Sequence, residues 1–334
     1  MDNKNVILTA TNLCVGYRKK QSEKRLLENL NLHLKSGELL ALLGANGAGK
    51  SSLIRTLCGM QEALAGDLFY GTTTLTSMSP QEKARWFSVV LTERDTFGQL
   101  SVFDLVALGR TPYTAWLGRL KTSDTDMVLQ ALEDVGMQHF ANQSIHSLSD
   151  GEYQKIMIAR ALAQDTPIIF LDEPTAFIDV RGKVEVMRLL IKLAREKNKA
   201  ILLSTHDLDM ALQSADQLCL FTGNAKVTQG IPEDLVVNGS LSKAFDSKEV
   251  HFDAQSGRFS IHKESCVSIA VNGEGVAAIW TIKALERVGF SINQEAGLSL
   301  SVAENEANYK ASFQSKEYHS IENLIAAVVL ATVV

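Results

Sequence analysis

The chain has 334 residues and a formal net charge of −5 at pH 7, with 46% hydrophobic and 21% charged residues. This length predicts one large domain plus a smaller one, and the composition is that of a globular protein with a sizeable core. Because the chain has no basic excess, its charge balance disfavours nucleic acid as a partner. The four cysteines show neither CxxC nor metal-ligand spacing, so we expect buried thiols in a reducing compartment.

Neither end of the sequence predicts a membrane segment. Residues 1–5 lack the apolar stretch of a signal peptide. The longest apolar run, residues 324–334, is shorter than the roughly 20 residues that span a bilayer. Its helical spacing instead indicates one buried face of a terminal helix. We therefore expect a cytoplasmic protein, for which any membrane role requires a partner.

Three short apolar runs predict buried strands of one sheet. They are residues 39–43, 167–171 and 200–204. Because apolar and polar residues do not alternate in them, these strands are typical of a sheet covered on both faces. Polar residues follow each run, and open α/β sheets bind ligands at the carboxyl ends of their strands. The sequence therefore predicts an α/β fold with a site at that edge.

The remaining patterns predict two further regions. Apolar residues between 100 and 163 recur mostly at helical spacing, which indicates a helical insertion, a subdomain of about residues 94–163. Past residue 250 the pattern changes to short strands around two helices, which is typical of a small α+β domain. We place the domain boundary there, giving residues 1–250 and 251–334.

The eight residues from Gly44 to Ser51, GANGAGKS, fit the phosphate-loop pattern G-x-x-x-x-G-K-[ST] between a predicted strand and a predicted helix. Glycines allow successive backbone N–H groups to surround an anion, to which the helix N-terminus adds positive potential. Lys50 then contacts the β- and γ-phosphates of ATP, and the Ser51 hydroxyl ligates Mg²⁺. The alternative is a glycine-rich turn that binds nothing. The predicted nucleotide-binding residues of this segment are Gly44, Asn46, Gly47, Gly49, Lys50, Ser51 and Ser52.

Two neighbouring carboxylates follow the second buried strand. Asp172 is placed to hold magnesium through its water shell. Glu173 lies beside it, and a carboxylate near the γ-phosphate can polarise the attacking water, so Glu173 is the candidate general base. The alternative for such a pair is a solvated loop.

An ordered set of motifs resembles the ABC (ATP-binding cassette) ATPase family. The segment LSDGE at residues 148–152 is similar to the family's signature, LDEPT at 171–175 to its Walker B segment, FID at 177–179 to its D-loop, and His206 to its switch histidine. This resemblance covers the chain from residue 6 to about residue 240. It implies a cassette with a RecA-like core, an antiparallel β subdomain and a helical subdomain, followed here by the small α+β domain.

The resemblance also implies roles for several residues. In the family each ATP lies between the phosphate loop of one cassette and the signature of another, which implies a homodimer. By this resemblance Lys50, Glu173 and His206 are catalytic, and His206 contacts the γ-phosphate. Tyr17 matches the aromatic residue that stacks on adenine, although an aromatic on an early strand is commonly part of the core. The signature and D-loop residues expected at the nucleotide are Ser149, Gly151, Glu152 and Asp179.

Two positions depart from the family pattern. The signature has Asp150 and Glu152 where the commonest form has Gly and Gln, and a carboxylate near phosphate is unfavourable unless it is directed away. Similar L-S-D-G-E variants occur among importer ATPases for iron chelates. In place of the family's Gln that ligates Mg²⁺ and couples to the permease stands Thr92, whose hydroxyl is a candidate magnesium ligand.

Residues 101–113, SVFDLVALGRTPY, resemble a segment of ATPases that serve ferric-siderophore, haem and cobalamin importers. The alternative for this segment is an amphipathic helix ending at Gly109 ahead of Pro112. The resemblance implies a separate membrane permease and an exported substrate-binding protein as partners. Two other classes are alternatives: an ABC protein acting on ribosomes or DNA, and a non-transport ABC ATPase with a regulatory role.

The small α+β domain predicted at residues 251–334 is called the tail. Within it, residues 273–278 (GEGVAA) match G-x-G-x-x-A after a predicted strand, a pattern of dinucleotide sites. The tail is short for a doubly wound fold, and Glu274 would place negative charge at the pyrophosphate. Structural or regulatory packing is the favoured interpretation. Our hypothesis is that the tail stabilises the homodimer or tunes its ATPase, so that deletion after about residue 255 alters one of the two.

Overall fold

The computed structural model describes residues 5–19, 22–91, 98–114, 118–222, 225–246, 250–254, 257–261, 267–303 and 309–332. The chain divides into two compact units. The first comprises Met1–Ser247 and His251–Phe259, and the second comprises Lys248–Val250 and Ser260–Val334. Within the described ranges, no helix combines the length and the apolar character needed to cross a membrane.

The first unit alternates strands and helices along most of its length. Its strands are β1 (Val6–Lys19), β2 (Ser22–Lys35), β3 (Leu39–Leu43), β4 (Ala65–Tyr70), β5 (Thr73–Thr74), β6 (Phe87–Val90), β7 (Ile168–Leu171), β8 (Ala200–Thr205), β9 (Gln217–Thr222) and β10 (Lys226–Gly230). Its helices are α1 (Lys50–Leu57), α2 (Pro80–Trp86), α3 (Val102–Ala107), α4 (Thr122–Asp134), α5 (Asp150–Ala163), α6 (Val180–Glu196), α7 (Leu208–Ser214), α8 (Pro232–Val237) and α9 (Ser240–Phe245). The strands β11 (Val250–Asp253) and β12 (Arg258–Ile261) then form a two-stranded sheet.

The central sheet has the strand order β10-β9-β3-β8-β7-β6. All its pairings are parallel except that of β9 with β10. Every residue of β3, β7 and β8 is buried, as expected for strands covered on both faces. Because β8 lies between β3 and β7, the carboxyl ends of these three strands meet at one edge.

A second, antiparallel sheet covers part of this core, with the order β2-β1-β4-β5. Along β2 the buried and exposed residues alternate, which is typical of a sheet with one face in the core. Its buried residues share a hydrophobic cluster with residues of β3, β7 and α1. The structure thus has the predicted antiparallel β subdomain beside the parallel sheet.

Helices α3, α4 and α5 form the region for which the sequence predicts a helical insertion. A short 3-10 helix, Leu108–Tyr113, follows α3 and packs against α5. A Cβ at Gly109 would lie 2.2 Å from the backbone oxygen of Arg160, so only glycine allows this approach. Next to it, the buried Arg110 side chain donates to Asp124 Oδ1 at 3.0 Å and to the Ala163 oxygen at 2.8 Å.

The second unit is a small α+β structure. Its elements are β13 (Val267–Asn272), α10 (Gly275–Arg287), β14 (Phe290–Ile292), β15 (Ser299–Val302), β16 (Ala311–Phe313), β17 (Lys316–Tyr318) and α11 (Ile321–Thr332). The sheet order is β14-β13-β15-β16-β17, and both helices contribute to its hydrophobic cluster. The GEGVAA segment follows β13 and opens α10, as the sequence predicts. Strand β17 was not indicated by the sequence pattern.

Candidate active site

The phosphate-loop segment connects β3 to α1. Residues 45–47 lie exposed at its crest, and Gly49 and Lys50 are buried at its base. Gly47 and Gly49 have φ values of 79° and 104°, a backbone region that strongly favours glycine. Helix α1 begins directly at Lys50, so its first N–H groups face the same space as the loop. The residues predicted to bind phosphate therefore form one continuous turn at the helix N-terminus.

The Lys50 ammonium group lies inside this turn. Its side chain is 6% exposed, and it donates to the backbone oxygens of Gly44 and Ala45 at 2.8 and 3.1 Å. The Glu173 Oε1 atom is 3.9 Å away. Burial lowers the pKa of Lys50, while the nearby carboxylates of Glu173 and Asp172 oppose this effect. A cation that is buried but partly balanced in this way is suited to bind an anionic phosphate.

A chain of hydroxyl and carboxylate groups links α1, β7 and β8. Ser51 Oγ donates to Asp172 Oδ1 at 3.0 Å, and Ser204 Oγ donates to the same oxygen at 2.6 Å. Asp172 is 7% exposed. The hydroxyl of Ser51 is a hard oxygen donor of the kind that Mg²⁺ prefers, and the carboxylate of Asp172 can accept hydrogen bonds from the waters that such an ion keeps beside substrate phosphates. The donor set therefore fits a magnesium ion.

Glu173 is held at several points. Its φ is 51°, a conformation that costs energy for a residue other than glycine and that often occurs at functional sites. Its backbone N–H donates to Ser204 Oγ at 2.9 Å. Its Oε2 atom is 2.6 Å from His206 Nδ1, and the His206 side chain is 57% exposed. The carboxylate thus lies between the buried Lys50 and an accessible imidazole.

The signature segment forms the start of α5. This helix begins at Asp150, so Gly151 and Glu152 lie in its first turn. Ser149 is the N-cap: its Oγ accepts from the Glu152 N–H at 3.4 Å and donates to Glu152 Oε2 at 2.7 Å. Glu152 Oε2 also accepts from the Ser149 N–H at 2.8 Å. These hydrogen bonds lower the pKa of Glu152 and direct its carboxylate to the cap.

The D-loop residue Asp179 caps the next helix, because its Oδ1 accepts from the Gly182 N–H at 2.8 Å at the start of α6. Tyr17 lies outside the core, with 43% of its surface exposed. Its hydroxyl is 2.6 Å from Ser52 Oγ on α1. The alternative of a core aromatic is therefore wrong for Tyr17, and its ring is accessible beside the phosphate loop.

The predicted site residues form two groups in the structure. The phosphate loop, Asp172, Glu173 and His206 are joined at the carboxyl edge of the sheet. Within the described ranges, no hydrogen bond or ion pair connects Lys50 or Ser51 with the signature residues of the same chain. Thr92, the candidate magnesium ligand, lies outside the described residues.

Comparisons with known proteins decide the family. Residues 27–176 match the ABC transporter family model. The chain is 36% identical over 255 residues to an uncharacterized ABC transporter ATP-binding protein of Methanocaldococcus jannaschii, covering 76% of this chain and 87% of that protein. The chain belongs to the ABC transporter ATP-binding proteins. This ABC protein binds ATP and is an ATPase of that family, with the P-loop cassette fold that the sequence predicts.

Other relatives of this ABC protein carry names from iron uptake. It is 36% identical to the petrobactin import ATP-binding protein FpuD of Bacillus anthracis, covering 64% of this chain and 78% of the relative. It is 33% identical to the ferric enterobactin transport ATP-binding protein FepC of Escherichia coli, covering 71% and 86%. A solved metal-chelate type ABC transporter in an inward-facing conformation matches with a TM-score of 0.63 at 28% identity, covering 72% of this chain and 89% of that one.

The tail has a family of its own. Residues 266–329 match the iron ABC transporter C-terminal domain, a range that nearly coincides with the strands and helices of the second unit.

Sequence reasoning did not assign a role to one residue that the structure places in the site, Ser204. The available signal was a hydroxyl at the end of an otherwise apolar buried strand.

Proposed function

We propose that this ABC protein is the ATP-hydrolysing subunit of an importer for ferric siderophores or the related cargoes haem and cobalamin. It acts as a homodimer on the cytoplasmic face of the membrane, bound to a separate permease that receives cargo from an exported substrate-binding protein. The observation that carries the cargo class is the match of residues 266–329 to the iron ABC transporter C-terminal domain. The names of the petrobactin and enterobactin relatives support it.

The contacts at the sheet edge support a hydrolytic mechanism. Lys50 and the phosphate-loop N–H groups bind the triphosphate, and the exposed ring of Tyr17 is available to stack on adenine. Magnesium, when bound by Ser51 and Asp172, would neutralise charge on the phosphates. Glu173 orients the attacking water and accepts its proton at the carboxylate. His206, within 2.6 Å of that carboxylate, orients Glu173 and reaches towards the γ-phosphate.

The signature residues complete the site from a second copy. The described contacts join Ser149 to Glu152 and not to the phosphate loop of its own chain, as expected for a signature that serves the ATP bound to another copy. The N–H of Gly151 lies in the first turn of α5, where anions are stabilised, and the Ser149 hydroxyl becomes a second donor once it turns away from Glu152 Oε2. ATP held between the two copies favours the closed dimer, and loss of phosphate reopens it. Asp179 lies at the start of α6, in the D-loop segment expected to contact the nucleotide.

The test combines hydrolysis with uptake in cells that lack the native gene. We expect Glu173→Gln to lower kcat at least about 100-fold while ATP binding is retained, because a general base contributes about 10²–10⁴ to the rate. Uptake of radioactive iron complexed to petrobactin or enterobactin should be restored by the wild-type chain and not by this variant. The matched control is Glu196→Gln, since Glu196 ends α6 at the opposite edge of the sheet and is exposed.

The outcomes separate the proposal from its alternative. Hydrolysis that depends on Glu173, together with uptake of iron, haem and cobalamin that does not depend on the chain, would support a non-transport ABC ATPase with a regulatory role. Unchanged hydrolysis in Glu173→Gln would contradict the catalytic assignment itself.

We further propose that the second unit, with a boundary near residue 250, acts on the homodimer or on its ATPase rate.

A further inference from the structure

Ser204 is the second-to-last residue of β8, and it is completely buried. Its neighbours in β8 are apolar from Ala200 to Leu203. Burying a hydroxyl in such a strand is unfavourable unless both its donor and its acceptor functions are used. In Ser204 both are used, and both partners belong to the candidate active site.

The strand order explains this position. Strand β8 lies between β3, which leads into the phosphate loop, and β7, which leads into the two carboxylates. Leu171 pairs with Leu203 in the parallel register of β7 and β8, so the following residues, Asp172 and Ser204, also lie side by side. A short side chain at this position therefore reaches both the metal carboxylate and the backbone of the residue after it.

The two hydrogen bonds of Ser204 act on different groups. Its O–H donates to Asp172 Oδ1 at 2.6 Å, beside the bond from Ser51 to the same oxygen at 3.0 Å. Its oxygen accepts from the Glu173 N–H at 2.9 Å. The first bond orients the carboxylate that would hold magnesium through its water shell. The second fixes the backbone of Glu173, whose φ of 51° needs support from its surroundings.

We propose that Ser204 is a positioning residue that sets the geometry of the magnesium carboxylate and of the catalytic base together. This inference rests on the proposed roles of Asp172 and Glu173. Because one hydroxyl holds both residues, its removal disturbs metal binding and water activation at once. Binding of the nucleotide itself depends on Lys50 and the loop N–H groups, which Ser204 does not contact, and is therefore unaffected.

The test compares Ser204→Ala with Ser88→Ala. Ser88 is a matched control: it lies on β6 of the same sheet, is 1% exposed, and accepts from Thr166 Oγ1 at 3.1 Å. Both variants remove one buried, hydrogen-bonded hydroxyl, but only Ser204 contacts the site. Thermal unfolding of both shows whether each folds and how much stability each loses.

Two measurements on the purified full-length chain separate a positioning role from a structural one. Affinity for a fluorescent ATP analogue in EDTA should be unchanged in Ser204→Ala. The Mg²⁺ concentration that half-saturates hydrolysis should rise about tenfold and kcat should fall about tenfold, because each change reflects the loss of one hydrogen bond at a charged or strained group. Ser88→Ala should match the wild type in its affinity for the analogue, in the half-saturating Mg²⁺ concentration and in kcat.

The inference is overturned if Ser204→Ala and Ser88→Ala have the same kcat and the same magnesium dependence. Asp172→Asn and Glu173→Gln in the same assays separate this failure from a failure of the proposed function. If those two variants lose hydrolysis while Ser204→Ala does not, only the role of Ser204 is wrong. If those two variants hydrolyse ATP normally, the active-site assignment is wrong as well.

Discussion

Replacement of Arg110 by Met tests how the helical region around α5 is held together. The Arg110 side chain is 10% exposed and donates to Asp124 Oδ1 at 3.0 Å and to the Ala163 oxygen at 2.8 Å. Its guanidinium carbon lies 4.0 Å from the centre of the Tyr113 ring. Met has a similar apolar stem, so the substitution removes the charge and its hydrogen bonds and leaves most of the packing.

The magnitude follows from the charge that is left behind. Removing one partner of a buried ion pair costs about 3–5 kcal/mol, because the other charge stays buried. Asp124 is 3% exposed but also accepts from the Lys121 N–H at 3.0 Å, which offsets part of this cost. We therefore expect a loss of about 3 kcal/mol in the free energy of unfolding, at the lower end of that range. For a domain of 150–250 residues this lowers Tm by about 6–12 °C.

Calorimetry of the full chain measures this shift, with Arg181→Met as the matched control. Arg181 also pairs with a carboxylate, Glu185 at 3.1 Å, but its side chain is 88% exposed. An exposed helical pair of this kind contributes little to stability, because water screens it. Equal Tm shifts for Arg110→Met and Arg181→Met would refute the reasoning. The double variant Arg110→Met/Asp124→Leu should lose less stability than Arg110→Met alone, since no buried charge remains.

Two further predictions concern the signature and the tail. Hydrogen bonds from Ser149 lower the pKa of Glu152 in the folded chain, so the stability they contribute is present at neutral pH and is lost as pH falls through that lowered pKa. Glu152→Gln should therefore flatten the acid side of a plot of Tm against pH, and an unchanged acid slope would contradict this. Truncation after residue 261, which keeps the contact of Phe252 with Phe259, should change the oligomeric state seen by light scattering or the ATPase rate. Both quantities staying constant would remove the proposed role of the tail.

Much of the fold was predictable because local patterns determine it. The runs at 39–43 and 200–204 consist almost entirely of apolar residues and coincide with β3 and β8. A parallel strand buried on both faces needs such a run, and the residues after it necessarily reach the sheet edge. Local apolar patterns also predict the α+β structure of the tail. Strands β11, β12 and β17 were missed. Apolar and polar residues alternate in β11 and β12, but four residues are too few for a periodic pattern to stand out, and β17 has only three residues.

The arrangement of the site depends on features that local patterns do not show. The sequence placed Asp172 and Glu173 beside each other, but the left-handed backbone of Glu173 depends on its partners in β8. Strand order is a long-range property, so the position of Ser204 between the phosphate loop and Asp172 could not be deduced from its own segment. For Glu152, the capping pattern S-x-x-E was visible in the sequence. The resemblance to a nucleotide-binding signature predicts a phosphate contact at Glu152, whereas the structure shows its carboxylate bonded to the cap.

The structure also weakens the inference of cargo from the GRTPY segment, residues 109–113. Three of its distinctive residues have packing roles. Gly109 permits contact with the backbone of α5, and Arg110 pairs with Asp124. The Tyr113 hydroxyl donates to the Gln164 oxygen at 3.1 Å, at the C-terminal end of the same helix. These contacts would be needed in any cassette that holds α5 in this way, whatever its permease carries. The cargo proposal therefore depends on the tail and its family, and a tail exchanged between importers of different cargo would test it more directly than changes in residues 108–113.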